Sequence, residues 1–346
     1  MYNFKTYTVE SVTSGHPDKI CDQISDAILD ACLSQDPKSR VAIETVGAHG
    51  TIFIGGEVTT NATFNASGIA RKVYRMIGYK DKIRVITNII KQSPDISQGV
   101  DTGGAGDQGI MYGYATNETP EYLPYAVVLA HKLTKGLEDL RREGVIAWLG
   151  PDGKSQVTIK DGKVETALVS AQHSEEVTHD EIEKNLKEKL FFPIVGKNVK
   201  ILVNPTGKSV LGGFSADTGL TGRKIMVDSY GGIIPHGGGA YSGKDPTKVD
   251  RSGAYMARFA AKNTVAKEIC NKCLVSVAYA IGKVDPLMVE AYDENNKDIS
   301  DYIIKNFDFR PRAIIERLNL QRPVYFETAS YGHFGKDGFP WEEIVK

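Results

Sequence analysis

Gly15-His16-Pro17-Asp18-Lys19 stands where an apolar helical period begins. Proline suits an early helical position, because its fixed φ fits the first turn and its missing N–H would be unpaired there anyway. The free N–H groups and the dipole of a helix start favour an anion, so a phosphate beside His16 would be well placed. Asp18 adds a hard oxygen suited to magnesium, which needs only one or two carboxylates because phosphate oxygens and water complete its octahedron. Taken alone, these five residues read equally well as an ordinary Asp-and-Pro helix start.

A denser constellation runs Gly237-Gly238-Gly239-Ala240-Tyr241-Ser242-Gly243-Lys244-Asp245-Pro246-Thr247-Lys248-Val249-Asp250-Arg251-Ser252. Lys244 and Lys248 supply point charges for phosphate or carboxylate, Asp250 can hold a second metal, and Pro246 starts a helix aimed at the cluster. Three consecutive glycines are costly to order, which favours a ligand-binding role over a solvated loop. Two other glycine patterns mislead. Gly104-Ala105-Gly106-Asp107-Gln108-Gly109 matches a dinucleotide-binding pattern, but Asp101-Thr102-Gly103 precedes it and no helical period follows, so a nicotinamide dehydrogenase fails on context. Gly207-Lys208-Ser209 resembles the end of a P-loop, yet the glycine needed five residues earlier is Leu202.

The 346 residues exceed what one small core organises, so two or three subdomains are expected. With 42 basic against 43 acidic residues the chain lacks the net positive charge of a sequence-independent nucleic-acid binder, so any polyanion is met locally. No run reaches the roughly 18 apolar residues of a membrane span and the start has no signal-peptide layout, giving a cytoplasmic expectation. Four cysteines are too few for a disulfide framework. Cys270 and Cys273 form a CxxC in an apparent helix without a second pair to complete a zinc site, and read as buried structural thiols.

Periodicity places these residues. Ile20, Ile24, Ile28 and Ala31 mark one helical face, with Asp22, Ser25 and Asp26 off it. Strand-like Val41 to Val46 and Thr51 to Val58 flank Gly47-Ala48-His49-Gly50, then Ile69, Val73 and Ile77 return to helical spacing and Ile83 to Ile90 reads as a strand. Gln156 to Lys160 and Val164 to Gln172 flank an Asp161-Gly162 turn, with a capped helix over Thr178 to Phe191 and a strand at Val199 to Val203. In the last third, Ile225 to Ser229 reads as a strand, Ser252 to Lys272 as a helix and Leu274 to Ile281 as a strand. Three like units predict an α+β protein of three pseudo-symmetric subdomains, each a mixed β-sheet with helices on one face. The linear segments are 1–101, 102–212 and 213–346, with subdomains exchanging pieces across these boundaries.

The sequence resembles the methionine adenosyltransferase family from end to end. GHPDK, GAGDQG followed by Ile110-Met111-Tyr112-Gly113-Tyr114, and the glycine–lysine stretch carry the resemblance. Gln92-Ser93-Pro94-Asp95-Ile96, Gly219-Leu220-Thr221-Gly222-Arg223-Lys224 and Tyr331-Gly332-His333-Phe334-Gly335 follow in family order. The resemblance implies ATP and L-methionine as substrates, two Mg2+ and K+ as cofactors, and a homodimer with shared active sites, paired into a homotetramer. It implies catalytic roles for His16, Lys154, Arg223, Lys224 and Lys244. ATP contacts are implied for these and for Asp152, Gly153, Lys208, Ser209, Asp217 and Ala240. Methionine contacts are implied for Glu57, Gln98, Asp107, Asp217 and Lys248, with Asp18 and Asp250 as Mg2+ ligands and Glu44 as a K+ ligand. Singly, each has a bland reading, such as outward strand carboxylates for Glu44 and Glu57. The ordered match is what carries the assignment.

Two departures from the family pattern are visible. Only Thr102 and Gly103 separate Asp101 from GAGDQG, where many relatives carry more residues. Ser209 follows Lys208 where relatives commonly have an aromatic beside the adenine. The expected reaction is attack of the methionine sulfur on C5′ of ATP, with triphosphate leaving and then being hydrolysed to pyrophosphate and phosphate. A non-catalytic nucleotide-binding sensor is the alternative, which would explain the glycine and lysine groups but not paired metal carboxylates beside His16.

Overall fold

The computed structural model describes residues 4–91 and 103–345. In chain order the first elements are β1 (Thr6–Val12), α1 (Pro17–Leu33), β2 (Arg40–Ala48), β3 (Thr51–Thr59), α2 (Ala66–Ile77) and β4 (Arg84–Ile90). β5 (Gly109–Thr116), α3 (Tyr125–Arg142), β6 (Leu149–Lys160), β7 (Lys163–His173), α4 (His179–Leu186) and β8 (Lys200–Val203) follow. The remainder holds β9 (Gly219–Leu220), α5 (Val249–Ala266), β10 (Lys272–Tyr279), β11 (Met288–Asp293), α6 (Ser300–Asn306) and α7 (Pro311–Arg317).

A long helix, a hairpin, a shorter helix and a strand recur as α1-β2-β3-α2-β4 and α3-β6-β7-α4-β8, and in part as α5-β10-β11-α6. The sheets run β4-β3-β2-β9, β8-β7-β6-β1 and β11-β10-β5. In the first two the hairpin is antiparallel and the strand after the short helix returns parallel, β4 beside β3 and β8 beside β7. The third is antiparallel throughout and ends at β11. Each sheet gains an edge strand from elsewhere in the chain: β9, β1 and β5 pair with β2, β6 and β10.

Local chemistry explains the elements. The hairpins turn on His49-Gly50 (φ 42° and 77°) and Asp161-Gly162 (φ 48° and 74°), positive-φ pairs whose twist suits antiparallel strands. The first turn is thus two residues, with Gly47 and Ala48 completing β2 rather than forming the connection. Asn65 accepts from Gly68 N–H at 2.9 Å to start α2, and Thr178 accepts from Glu181 N–H at 3.3 Å to start α4.

Three expectations need correction. Ile225 to Ser229 is not a strand: Ile225–Asp228 is a helical turn, with the Asp228 carboxylate buried on Lys19. The helix expected over Ser252 to Lys272 is Val249–Ala266, because Glu268 turns into left-handed backbone at φ 58°. Cys270 therefore lies in a connector and Cys273 in β10, not in a helix.

α1 is buried nearly all round. Ile20, Ile24 and Ile28 join the core, but so do Asp22, Ser25 and Asp26 on the remaining face. Asp18, Asp22, Asp26 and Asp30 recur every fourth residue, which stacks them along one side of the helix. Each accepts backbone N–H groups from the last third of the chain. Leu220 N–H reaches Asp18 at 2.9 Å, Gly222 N–H reaches Asp22 at 2.8 Å, and Gly243 N–H reaches Asp26 at 2.8 Å. Tyr325 and Phe326 N–H reach Asp30 at 3.0 and 2.8 Å. No described helix is long and apolar enough to cross a membrane.

Candidate active site

Two groups of charged residues emerge from this frame. The first surrounds the start of α1. His16 is its N-cap and its Nδ1 accepts the Asp18 N–H at 3.2 Å, which leaves the proton of the neutral ring on Nε2. Burial, reinforced by the Lys224 and Lys154 ammonium groups, pushes the imidazole down to about 3. His16 is thus a neutral N–H donor among cations. Gly15 packs so closely on Pro151 that a Cβ would overlap its carbonyl, and Tyr79 donates to Gly15 O at 2.7 Å. The turn before α1 is thereby fixed against the start of β6.

Asp18 accepts from Lys224 Nζ at 2.5 Å and stands 3.7 Å from Arg223 Nε. Burial opposes its ionisation, but hydrogen bonds from Lys224 and Leu220 N–H hold the carboxyl below its usual range. Lys224 is largely covered and Arg223 is 53% exposed, so two cations project from one turn at different depths. Asp152 accepts Gly213 N–H at 2.9 Å and is pushed up to about 6 by burial, offset in part by that bond and Lys154. Gly153 O accepts Thr13 N–H at 2.9 Å, while Lys154, Lys208 and Asp217 are exposed. Ser209 is tied to His173 by two hydrogen bonds of 3.0 Å, one from its N–H and one to its carbonyl.

The second group lies across β2 and β3. A cavity of about 510 Å³ is lined by Glu44, Glu57, Ala240 and Lys244 with Thr221 and Asn88. The single bridge Ala42–Lys244 brings the glycine–lysine stretch to the β2 edge. Lys244 Nζ donates to Asp250 at 2.5 Å, and Asp250 packs on Gly239 so closely that a side chain there would overlap the carboxylate. That contact explains one of the three consecutive glycines. Lys248 is paired instead with the buried Asp245, and Asp107 is exposed, its carboxylate accepting Gln108 N–H at 2.8 Å. Gln98, expected on the methionine side, falls outside the described residues, as do Gln92 to Ile96, Asp101 and Thr102. Among the described residues no hydrogen bond or ion pair joins the two groups.

Sequence reasoning missed the scaffold beneath both groups. Lys19 is fully buried between Asp22 and Asp228, and Arg251 forms a two-pronged pair with Asp26 at 2.9 and 2.7 Å. Glu138 accepts from Ser14 Oγ at 2.9 Å and from Tyr331, which fixes the residue before GHPDK. The fourfold spacing of aspartates on α1 was the available signal, since acids at that period on an otherwise buried helix require internal donors.

The carboxylates expected to hold metal have a particular character. Among the described residues no three His, Cys, Asp or Glu side chains form a metal-holding group. Asp18 and Asp250 are instead single carboxylates, each beside a lysine able to bind phosphate. This set fits magnesium delivered on phosphate oxygens, not a cage of protein ligands.

Three consecutive family models cover the chain: S-adenosylmethionine synthetase N-terminal domain over residues 4–94, central domain over 102–209 and C-terminal domain over 211–343. The chain is 50% identical over 382 aligned positions to an S-adenosylmethionine synthase of Pseudothermotoga lettingae, covering 98% of this chain and 96% of that protein. A Clostridium tetani protein of the same name is 48% identical, with 99% and 97% covered, and one from Thermus thermophilus 47%, with the same coverage. The fold and both charged groups therefore belong to a transferase of three related subdomains. The chain belongs to the S-adenosylmethionine synthetase family, the methionine adenosyltransferases. The Pseudothermotoga alignment spans 382 positions against 346 residues here, so that relative carries residues this chain lacks.

Proposed function

We propose that this chain makes S-adenosylmethionine from ATP and L-methionine by in-line displacement, and hydrolyses the triphosphate product to pyrophosphate and phosphate. The observation that carries this is His16: a neutral Nε2–H donor at a helix start, flanked by Lys154 and Lys224. The methionine thioether is a neutral nucleophile with no proton to lose, so attack on C5′ requires no general base. The barrier lies in the leaving triphosphate, whose growing charge is best met by fixed donors already in place. His16 donates to the oxygen released from C5′, while Lys154, Arg223, Lys224 and Lys244 hold the phosphate chain. Asp152, Gly153, Lys208, Ser209 and Ala240 bound the nucleotide, and Glu57, Gln98, Asp107 and Lys248 the methionine. Asp217 touches both and orients the sulfur toward C5′.

Asp18 and Asp250 would hold two magnesium ions and Glu44 potassium. Bound there, magnesium supplies neutralisation of the polyphosphate and polarisation of phosphorus toward water. Lysine–carboxylate pairing at Asp18 and Asp250 keeps those oxygens ordered before substrate arrives.

The two charged groups are complementary in kind, and among the described residues no hydrogen bond or ion pair joins them, which supports an active site completed by a second copy. The outer face of β2–β3–β4 carries Phe53, Ile86 and Ile90, all exposed, beside Glu44 and Glu57. Covering it with the same face of another subunit gives a twofold dimer with shared sites, and pairing of dimers gives a homotetramer. The segments 1–101, 102–212 and 213–346 are the linear subdomains, and the protein works in the cytoplasm. Incubation with ATP, methionine, magnesium and potassium should yield S-adenosylmethionine, pyrophosphate and phosphate in equal amounts. ATP binding without any of these products would leave only a nucleotide sensor.

A further inference from the structure

The Tyr331-Gly332-His333-Phe334-Gly335 motif has no part in the proposed reaction, yet it is firmly anchored and ends against the turn that carries His16. His333 N–H donates to Asp228 O at 2.9 Å, its carbonyl accepts Trp341 Nε1 at 2.9 Å, and its Nδ1 meets Tyr255 Oη at 2.8 Å. Phe334 stacks on Tyr230 with ring centroids 5.0 Å apart. Gly332, at φ 80°, has no space for a side chain, since a Cβ would stand 2.8 Å from His131 Nε2. Tyr331 lies just before these anchors in left-handed backbone at φ 59°, which a bulky residue adopts only where its surroundings hold it.

The Tyr331 hydroxyl accepts Ser14 N–H at 3.1 Å and donates to Glu138 of α3. Glu138 in turn accepts Ser14 Oγ at 2.9 Å and Arg142 Nε at 2.6 Å. Burial opposes its ionisation, but the bonds from Tyr331, Arg142 and Ser14 hold the carboxyl below its usual range, so the phenol meets a charged acceptor. Gln23 Nε2 of α1 donates to Ser14 O at 2.7 Å, so all three polar groups of Ser14 are taken. Ser14 and Gly15 are the central residues of a turn closed by His16 N–H on Thr13 O at 3.1 Å. Tyr79 bonded to Gly15 O at 2.7 Å and Thr13 Oγ1 bonded to Pro151 O at 2.8 Å hold its other corners. His16 follows directly, its ring fixed through Nδ1 by the Asp18 N–H.

We propose that Tyr331 is a positioning residue for adenosyl transfer: through Ser14 it holds the Thr13–His16 turn so that the His16 Nε2–H meets the oxygen leaving C5′. This rests on the donor role proposed above for His16. A donor that meets charge only as a bond breaks must be in place beforehand, and a displacement of about 1 Å removes much of its effect. The Ser14 N–H and Oγ are held by residues 331 and 138, so the placement of His16 depends on the C-terminal motif and α3 as well as on its own helix.

Tyr331→Phe keeps the ring and removes only the hydroxyl. It should fold, slow S-adenosylmethionine formation by about tenfold or more and leave the KM for ATP within about twofold, because the phosphate-binding cations are untouched. Hydrolysis of added inorganic tripolyphosphate breaks no bond to C5′ and should stay within about twofold of wild type, whereas a merely loosened fold would lower both activities. In a His16→Ala background the same change should cost nothing further, since its effect passes through the lost imidazole. NMR of the isotope-labelled histidines gives a readout free of turnover: the His16 ring signals, assigned by their loss in His16→Ala, should broaden or shift in Tyr331→Phe. Ser14→Ala, which cuts the bond to Glu138 alone, carries the same expectation and decides the outcome if Tyr331→Phe does not fold. Full turnover in the folded variant, equal loss of both activities, an undiminished effect in the His16→Ala background, or His16 ring signals identical to wild type overturns the proposal. Each of these leaves a His16→Ala deficit, and with it the donor role, standing. Normal turnover in His16→Ala would remove that role and this proposal together.

Discussion

His16 unites burial, two neighbouring ammonium groups and a hydrogen bond into Nδ1, so it stays neutral through the physiological range and keeps a proton on Nε2. His16→Ala should fold normally and lose roughly a hundredfold or more in S-adenosylmethionine formation, the scale of one transition-state donor. Near-wild-type turnover would remove the donor role. His131 offers a stability test away from the chemistry: Ser11 Oγ meets its Nδ1 at 2.8 Å, and burial pushes it down to about 3. Below about pH 6.5 the unfolded chain takes up a proton that folded His131 refuses, so its stability contribution is complete above that pH and lost toward pH 3. Asp30 and Asp152, both pushed up to about 6 by burial, act oppositely, since their protonated folded forms lose advantage as pH rises from the ordinary carboxylate range. The informative quantity is therefore a difference. Relative to wild type, His131→Gln should lose about 1 kcal/mol less stability between pH 6.5 and 5, read from urea midpoints at each pH. Identical pH slopes would mean that His131 protonates in the folded state as readily as in the unfolded one.

α1 acts as a spine because its acids face inward. Asp18 and Asp22 anchor the turn that presents Arg223 and Lys224, and Asp26 anchors Gly243 beside Lys244, so one helix indexes both charged groups. Breaking such a pair from one side leaves an uncompensated buried charge. Asp26→Asn should therefore destabilise by about 3 kcal/mol or more, because Arg251 remains fully buried with its charge. The double change Asp26→Leu with Arg251→Met should cost less than the single one in urea unfolding. A single variant as stable as wild type would mean that other groups neutralise Arg251.

For the whole molecule, the outer β2–β3–β4 face is the surface on which the proposed dimer rests. Phe53 stands opposite Val46 and Ile86 on that face and is 40% exposed in the single chain. Phe53→Glu should keep the circular dichroism of the fold, sediment as a monomer and lose activity at least about tenfold, because a buried carboxylate would be costly at the proposed subunit contact. A Phe53→Glu dimer with full turnover would show that the shared site does not form through this face.

Much was legible because it is local. Period-2 and period-3.6 patterns, the Asp161-Gly162 turn, and Pro17 at a helix start depend on neighbours in sequence, and the sequence by itself determined them. GHPDK, GAGDQG and the glycine–lysine stretch likewise carried the family membership that the three domain matches bear out. Ile225–Asp228 was misread because its apolar run fits either period, and only the burial of Asp228 on Lys19 decides for a helical turn. Tertiary structure alone revealed that the polar side of α1 is interior, since the donors satisfying Asp18, Asp22, Asp26 and Asp30 lie some two hundred residues or more away in the chain. It alone separated the candidate residues into two groups within one chain, and gave each sheet its edge strand from another segment. Such pairings depend on long-range burial and on backbone groups that find partners only after the chain has folded, and no local spacing encodes them.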